Sequence, residues 1–140
     1  MIGSSFQFTD QTKRVTVATE KAAFRNFSHA AATIRKDAVA SIVDAPGPSD
    51  PGTPPHTHTA GVTKKGKVRK GNLQRAIAYD ATKEDAIIGP RFSVVGLAGR
   101  AHELGEVFHG DQFDERAFMG PALDDNLTRF AQDWDGSIGG

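Results

Sequence analysis

The chain has 140 residues, a formal net charge of zero and a pI near 7.0, a length that supports one modest hydrophobic core and not two. The neutral balance excludes whole-chain steering toward nucleic acid or an anionic membrane, so any electrostatic argument must be local. With no cysteine there is no disulfide framework and no thiolate zinc site, and no run approaches the roughly eighteen apolar residues of a membrane span.

The opening MIGSSFQFTDQTKR lacks the basic-then-apolar pattern of a leader peptide, which predicts a soluble protein made where it is used. Residues 1–18 read as an N-terminal arm, loose over 1–10 and with KRVTVA at 13–18 as a short strand. From 19 to 43 the apolar positions Phe24, Phe27, Ala31, Ile34, Ala38 and Ile42 recur at three- and four-residue steps, which predicts one face of an α-helix. Thr19 is the expected N-cap, with Glu20 in the first turn, and Pro46 and Pro48 forbid continuation.

Residues 44–72 have no apolar period and hold five of the chain's 7 prolines and several of its 15 glycines, so an extended loop is expected, far longer than an ordinary connection. Its first half, APGPSDPGTPPHTHT, should be stiff, because each proline fixes its own φ and restricts the residue before it. Its second half runs into a basic stretch: Lys64, Lys65, Lys67, Arg69, Lys70 and Arg75 occur with no acidic residue among them.

Residues 73–80 and 86–92 flank ATKED and are rich in β-branched and aromatic side chains, which predicts an antiparallel hairpin with Ile77, Tyr79, Ile87 and Ile88 contributing to the core. Gly89-Pro90 should stop its second strand. Residues 100–104 suit a single helical turn with Gly105 as C-cap. A closing helix follows, with Pro121 at its first position, Asp124 and Asp125 at the positive end of its dipole, and Leu123, Leu127, Phe130, Ala131 and Trp134 as one stripe ending at Gly136. The expected fold is a single α+β domain, a small antiparallel sheet packed against an N-terminal and a C-terminal helix.

Candidate chemistry is sparse. His102-Glu103 resembles the start of a zinc-peptidase motif, but the position one turn on is Glu106, and His109 lies beyond Gly105, where helical ligand geometry is lost. His56-Thr57-His58 could offer two imidazoles from an extended chain, with no further ligands nearby. The cations of 64–75 could touch a phosphate backbone, yet no aromatic side chain is interleaved for stacking. There is no nucleophile elbow and no phosphate-binding glycine loop. No enzyme, metal or cofactor is expected.

One ordered set of motifs stands out: GNLQRAI entering a strand, AIIGPR ending the next, AHELGE, then AFMGPALDD entering the last helix. It resembles the head-to-tail joining, or tail-completion, proteins of long-tailed bacteriophages and prophages. In that family the counterparts are a turn-Leu-Arg-X-Ile strand, a Val-Gly-Pro strand end, a Glu-Phe-Gly segment and a Phe-Met-X-Pro-Ala-Leu helix start. The resemblance spans residues 72–134 in order and spacing. His102 departs from it by standing where an aromatic residue is common, and Leu104 by replacing the usual Phe.

The resemblance implies a structural virion protein of the phage neck, made in the host bacterial cytoplasm and built into a ring around the DNA channel. Its partners would be copies of itself, in six-fold or twelve-fold closure, a portal, adaptor or head-closure protein on one side, and a tail terminator or tail tube protein on the other. Non-specific contact with DNA in the channel also fits. The expected interface residues are Pro54, Pro55, Lys64, Lys65, Lys67, Arg69 and Lys70 in the loop, and Arg100, His102, Glu103, Phe108, Phe113 and Phe118 in the bent segment. The alternative function is a small nucleic-acid-associated protein using residues 64–75, and a metal-dependent hydrolase built on His102, Glu103 and His109 is a third.

Overall fold

The structure, a computed structural model, describes residues 10–58 and 61–138; most of the expected loose arm, residues 1–9, lies outside the described residues. Helix α1 spans Thr12–Ser41, so KRVTVA forms its first turns and not a strand. The Thr16 and Thr19 hydroxyls donate to the carbonyls of Thr12 and Val15 at 2.9 Å each, the local bonding that lets β-branched threonine sit inside a helix. Thr19 is therefore interior. One free N–H at the helix start is met instead by Asp10, whose carboxylate accepts from the Thr12 N–H at 2.9 Å; hydrogen bonds from the Thr12 side chain and backbone hold its pKa below the usual value.

The second half of α1 buries Ala31, Ile34, Ala38 and Val39, and Ile42 follows directly. Phe24, expected on this face, is 51% exposed because the inward places of the earlier turns belong to Ala22, Ala23 and Asn26. The chain leaves α1 through β1 (Val43–Asp44), which pairs in parallel with β2 (His56–Thr57), so the proline-rich half of the long loop closes on its own beginning. A short helix, α2 (Asn72–Ala76), replaces the expected first part of a strand. Gln74 drives that change: its side-chain oxygen accepts from the Gly71 N–H at 2.9 Å, while its amide donates to the Ile42 carbonyl at 2.6 Å. Gly71 must be glycine, since a Cβ there would fall 1.8 Å from the Thr57 hydroxyl.

Strands β3 (Ile77–Ala81) and β4 (Ala86–Pro90) form the expected hairpin, in register from Ile77 opposite Pro90 to Ala81 opposite Ala86. Ile77 is fully buried and Ile88 packs at the edge of the core. Ile87 is 72% exposed, because successive strand residues point to opposite faces and α1 covers only one of them. Tyr79 shares the face of Ile77 but sits nearer the turn and stays exposed. Two short helices follow, α3 (Phe92–Val95) and α4 (Ala98–Leu104), the latter ended by Gly105 in the left-handed region as expected. The small hairpin of β5 (Val107–Phe108) and β6 (Asp111–Gln112) was not foreseen; His109 and Gly110 form its turn, both at positive φ.

Helix α5 spans Met119–Gln132, which puts Pro121 at its third position and Asp124 and Asp125 beyond its first turn. Ala122 and Asn126 are buried, while Leu123, Leu127 and Ala131 of the predicted stripe are exposed. The narrow side suits close approach to α1. Asn126 donates at 2.8 Å both to Asp37 on α1 and to the Ala122 carbonyl, a paired polar contact that fixes the register of the two helices. Phe130 and Trp134 complete the contact by clustering with Phe27, at ring separations of 5.5 and 5.7 Å from it.

The fold is α+β, with α1 and α5 packed on the β3–β4 hairpin. One core joins Ile34, Ala38, Val39 and Ile42 of the first helix to Leu73, Ile77, Phe118 and Ala122.

Candidate functional site

The bent segment is organised by Glu103. Its carboxylate accepts three backbone N–H groups at the start of α5, those of Phe118 and Met119 at 2.9 Å and of Gly120 at 2.8 Å. These donors have no partner within their own helix, and the helix dipole adds positive charge at the same point. Glu103 thus does what Asp124 and Asp125 were expected to do, from another element. Gly120 lets it approach: a Cβ there would lie 3.2 Å from the Glu103 oxygen. Gly105 has a parallel duty, combining a positive φ with a neighbour, the Glu115 amide nitrogen, 2.9 Å from where its Cβ would be.

Phe118, placed among the interface residues by the sequence, is 1% exposed and lies in the core under this clasp. Pro55 is likewise fully buried. Neither is available to a second protein. Phe108 and Phe113 remain partly accessible, in edge-to-face contact at 5.9 Å. Arg100 is exposed and pairs with Glu106 at 2.9 Å, a surface pair of small energetic worth.

The two halves of the long loop behave differently. The proline-rich half docks on the segment before α5: the Gly52 N–H donates to the Glu115 carbonyl at 2.9 Å, and the buried Arg116 guanidinium donates to the Ser49 carbonyl at 2.9 Å. Sequence reasoning missed Arg116, since a single cation in DQFDERAF reads as surface charge. The basic half is a small β-turn and not an irregular strand of chain. Thr63 N–H bonds the Lys67 carbonyl at 2.8 Å, Val62 bridges Val68, and Gly66 takes the positive φ of the turn. Lys64, Lys65, Lys67, Arg69 and Lys70 all stand exposed on it, and among the described residues no ion pair engages them.

The residues of the hydrolase reading are not brought together. Both oxygens of Glu103 are occupied by α5, the His102 ring packs edge-on against Phe113 at 5.0 Å, and His109 is turned against Phe108 at the tip of its own hairpin. Among the described residues no group of three or more histidine, aspartate or glutamate side chains is arranged to hold a metal ion.

His102 has its pKa lowered, first by burial and then by the nearby Arg116 charge. The folded protein therefore binds this proton less readily than the unfolded chain does, and stability falls as pH drops through the ordinary histidine value of about 6.5. His102→Gln is expected to lose that share of the acid sensitivity. Denaturant unfolding of both proteins at pH 5.5 and 7.5 checks it, and equal pH dependence in the two would contradict it.

Comparison with known proteins gives no relative. No family, no curated protein and no solved structure matches the chain. Among the described residues no helix is long and apolar enough to cross a membrane.

Proposed function

We propose that this chain is a non-enzymatic structural protein of the bacteriophage neck, which closes into a ring between the head connector and the tail, around the DNA channel. The observation that carries the reading is the union of its last two motifs. AHELGE and AFMGPALDD are separate in sequence, yet Glu103 of the first binds the opening backbone of the second. A motif pair joined by such a contact is one structural unit, and its occurrence in family order is less readily accidental.

The surface supports an assembling protein. Among the described residues no third strand pairs with either edge of the β3–β4 sheet, an arrangement that invites strand addition by a neighbour, although Arg35 already donates to the Ile77 carbonyl at 2.7 Å. Ile87, Phe92, Leu97, Leu104 and Val107 are all more than half exposed. Heterologous contacts between identical copies close into a ring when the rotation fits. Lys64, Lys65, Lys67, Arg69 and Lys70 then serve as a cationic contact for an acidic connector surface or for DNA in the lumen.

Light scattering of the purified protein, alone and mixed with candidate portal, connector and tail-terminator proteins, tests this reading. A discrete ring, formed alone or only with such a partner, is expected. The exposed cations also favour the alternative of a DNA-associated protein, and salt separates the two, because phosphate contacts weaken steeply with salt while apolar ones do not. A monomer that ignores every neck protein and binds duplex DNA in low salt would replace the neck reading with the alternative.

A further inference from the structure

Arg116 does more than tether the loop. Between the docked proline-rich half and the chain leading into α5 lies a cleft of about 460 Å³, whose lining includes Ser49, His56, His58, His102, Phe113 and Arg116. Four of these are nitrogen bases or cations. The opposing charge is small: the Arg116 guanidinium reaches the Asp114 carboxylate only at 3.4 Å, and that carboxylate is 62% exposed to water, which screens it. The other guanidinium nitrogens donate to the Ser49 and Asp114 carbonyls at 2.9 and 3.5 Å, which partners the hydrogens without neutralising the charge, so this nine-tenths-buried cation favours an anion beside it.

Two further atoms point the same way. Ser49 is 6% exposed and its hydroxyl has no hydrogen-bond partner; the His102 Nδ1 is buried and also has none. Buried polar side-chain atoms are normally paired, and here two orphans line the same cleft as the arginine. A hydroxyl, an imidazole N–H and a guanidinium are all donors, and a donor set of this composition is answered by an acceptor with several oxygens. His56 and His58 add further ring nitrogens at the rim, His56 Nδ1 lying 3.2 Å from the Gly47 carbonyl.

We propose that this cleft binds a small oxyanion, a phosphate or carboxylate group, held by Arg116 with Ser49 and His102. The site is distinct from the exposed cations on the 62–68 turn and does not depend on ring formation. Its occupant bridges the loop to the segment before α5, so binding tightens the docking of the proline-rich half.

Removing Arg116 would also remove the loop's tether to the body, so the decisive variants are Ser49→Ala and His102→Phe. The first deletes an unpartnered hydroxyl, and the second keeps a ring against Phe113 while deleting the nitrogens; neither breaks a hydrogen bond of the free protein. Inorganic phosphate and acetate are titrated into wild type and both variants at constant ionic strength, following histidine ring signals by NMR and heat by calorimetry. Saturable binding is expected, about tenfold weaker in each variant, as for a hydrogen bond to a charged group, and unchanged in Lys64→Ala. The tighter of the two probes identifies the group. No saturable response in wild type, or equal affinity in wild type and both variants, would overturn the proposal.

Discussion

Replacing Glu103 with alanine is expected to destabilise the protein by about 2–3 kcal/mol, the range for losing hydrogen bonds to a charged acceptor. Three partly buried N–H groups of a helix start would be left without their acceptor. For a domain of this size the midpoint of thermal unfolding should fall by about 6–10 °C. Glu103→Gln should recover only part of the loss, since an amide offers one acceptor oxygen and turns its own donors toward donors. Differential scanning calorimetry of the three proteins measures this. A change below about 0.5 kcal/mol, the ordinary scatter of surface substitutions, would mean that the clasp does not hold α5.

Phe118→Ala is expected to cost more, about 3–5 kcal/mol, by emptying a fully buried aromatic site. Phe118 belongs to the cluster that joins Ile34, Ile42 and Ile77, so the cavity would open where both helices meet the hairpin. The result also decides between a core and an interface role. An interface side chain would leave the free monomer's stability intact and affect only assembly, whereas the core placement predicts loss in the monomer itself. Phe92→Ala is the contrast: Phe92 is 72% exposed, and its removal should leave urea unfolding of the monomer within about 0.5 kcal/mol of wild type.

Much of the fold was legible in local patterns. The Ala31, Ile34, Ala38 and Ile42 spacing, the hairpin around ATKED and the glycine after Leu104 each carry a strong local signal, and each element forms, although the first strand begins only at Ile77, after helix α2. What the pattern missed was decided by partners distant in sequence. VTV at 15–17 favours a strand, but a strand needs a neighbour, while a helix satisfies its backbone alone. Ile87 and Ile88 are equally apolar, and only the helix lying on one face settles which is buried. The same holds for the site. Glu103 resembles half of a metal motif because its true partners are backbone N–H groups, which no side-chain pattern announces, and Arg116 carries no sequence signal because its partner, the Ser49 carbonyl, is equally invisible.

The shared lesson of Glu103 and Arg116 is that the region before α5 is built from side chains reaching backbone. That gives a bent segment tied by hydrogen bonds beside a two-stranded hairpin and an exposed cationic turn, features that support the neck reading. Particles of the purified protein, alone or with its head-side and tail-side partners, can be imaged by electron microscopy and their rotational symmetry counted. The account predicts closed rings with an open central channel, six-fold or twelve-fold, whereas single copies or open filaments under every condition would contradict it.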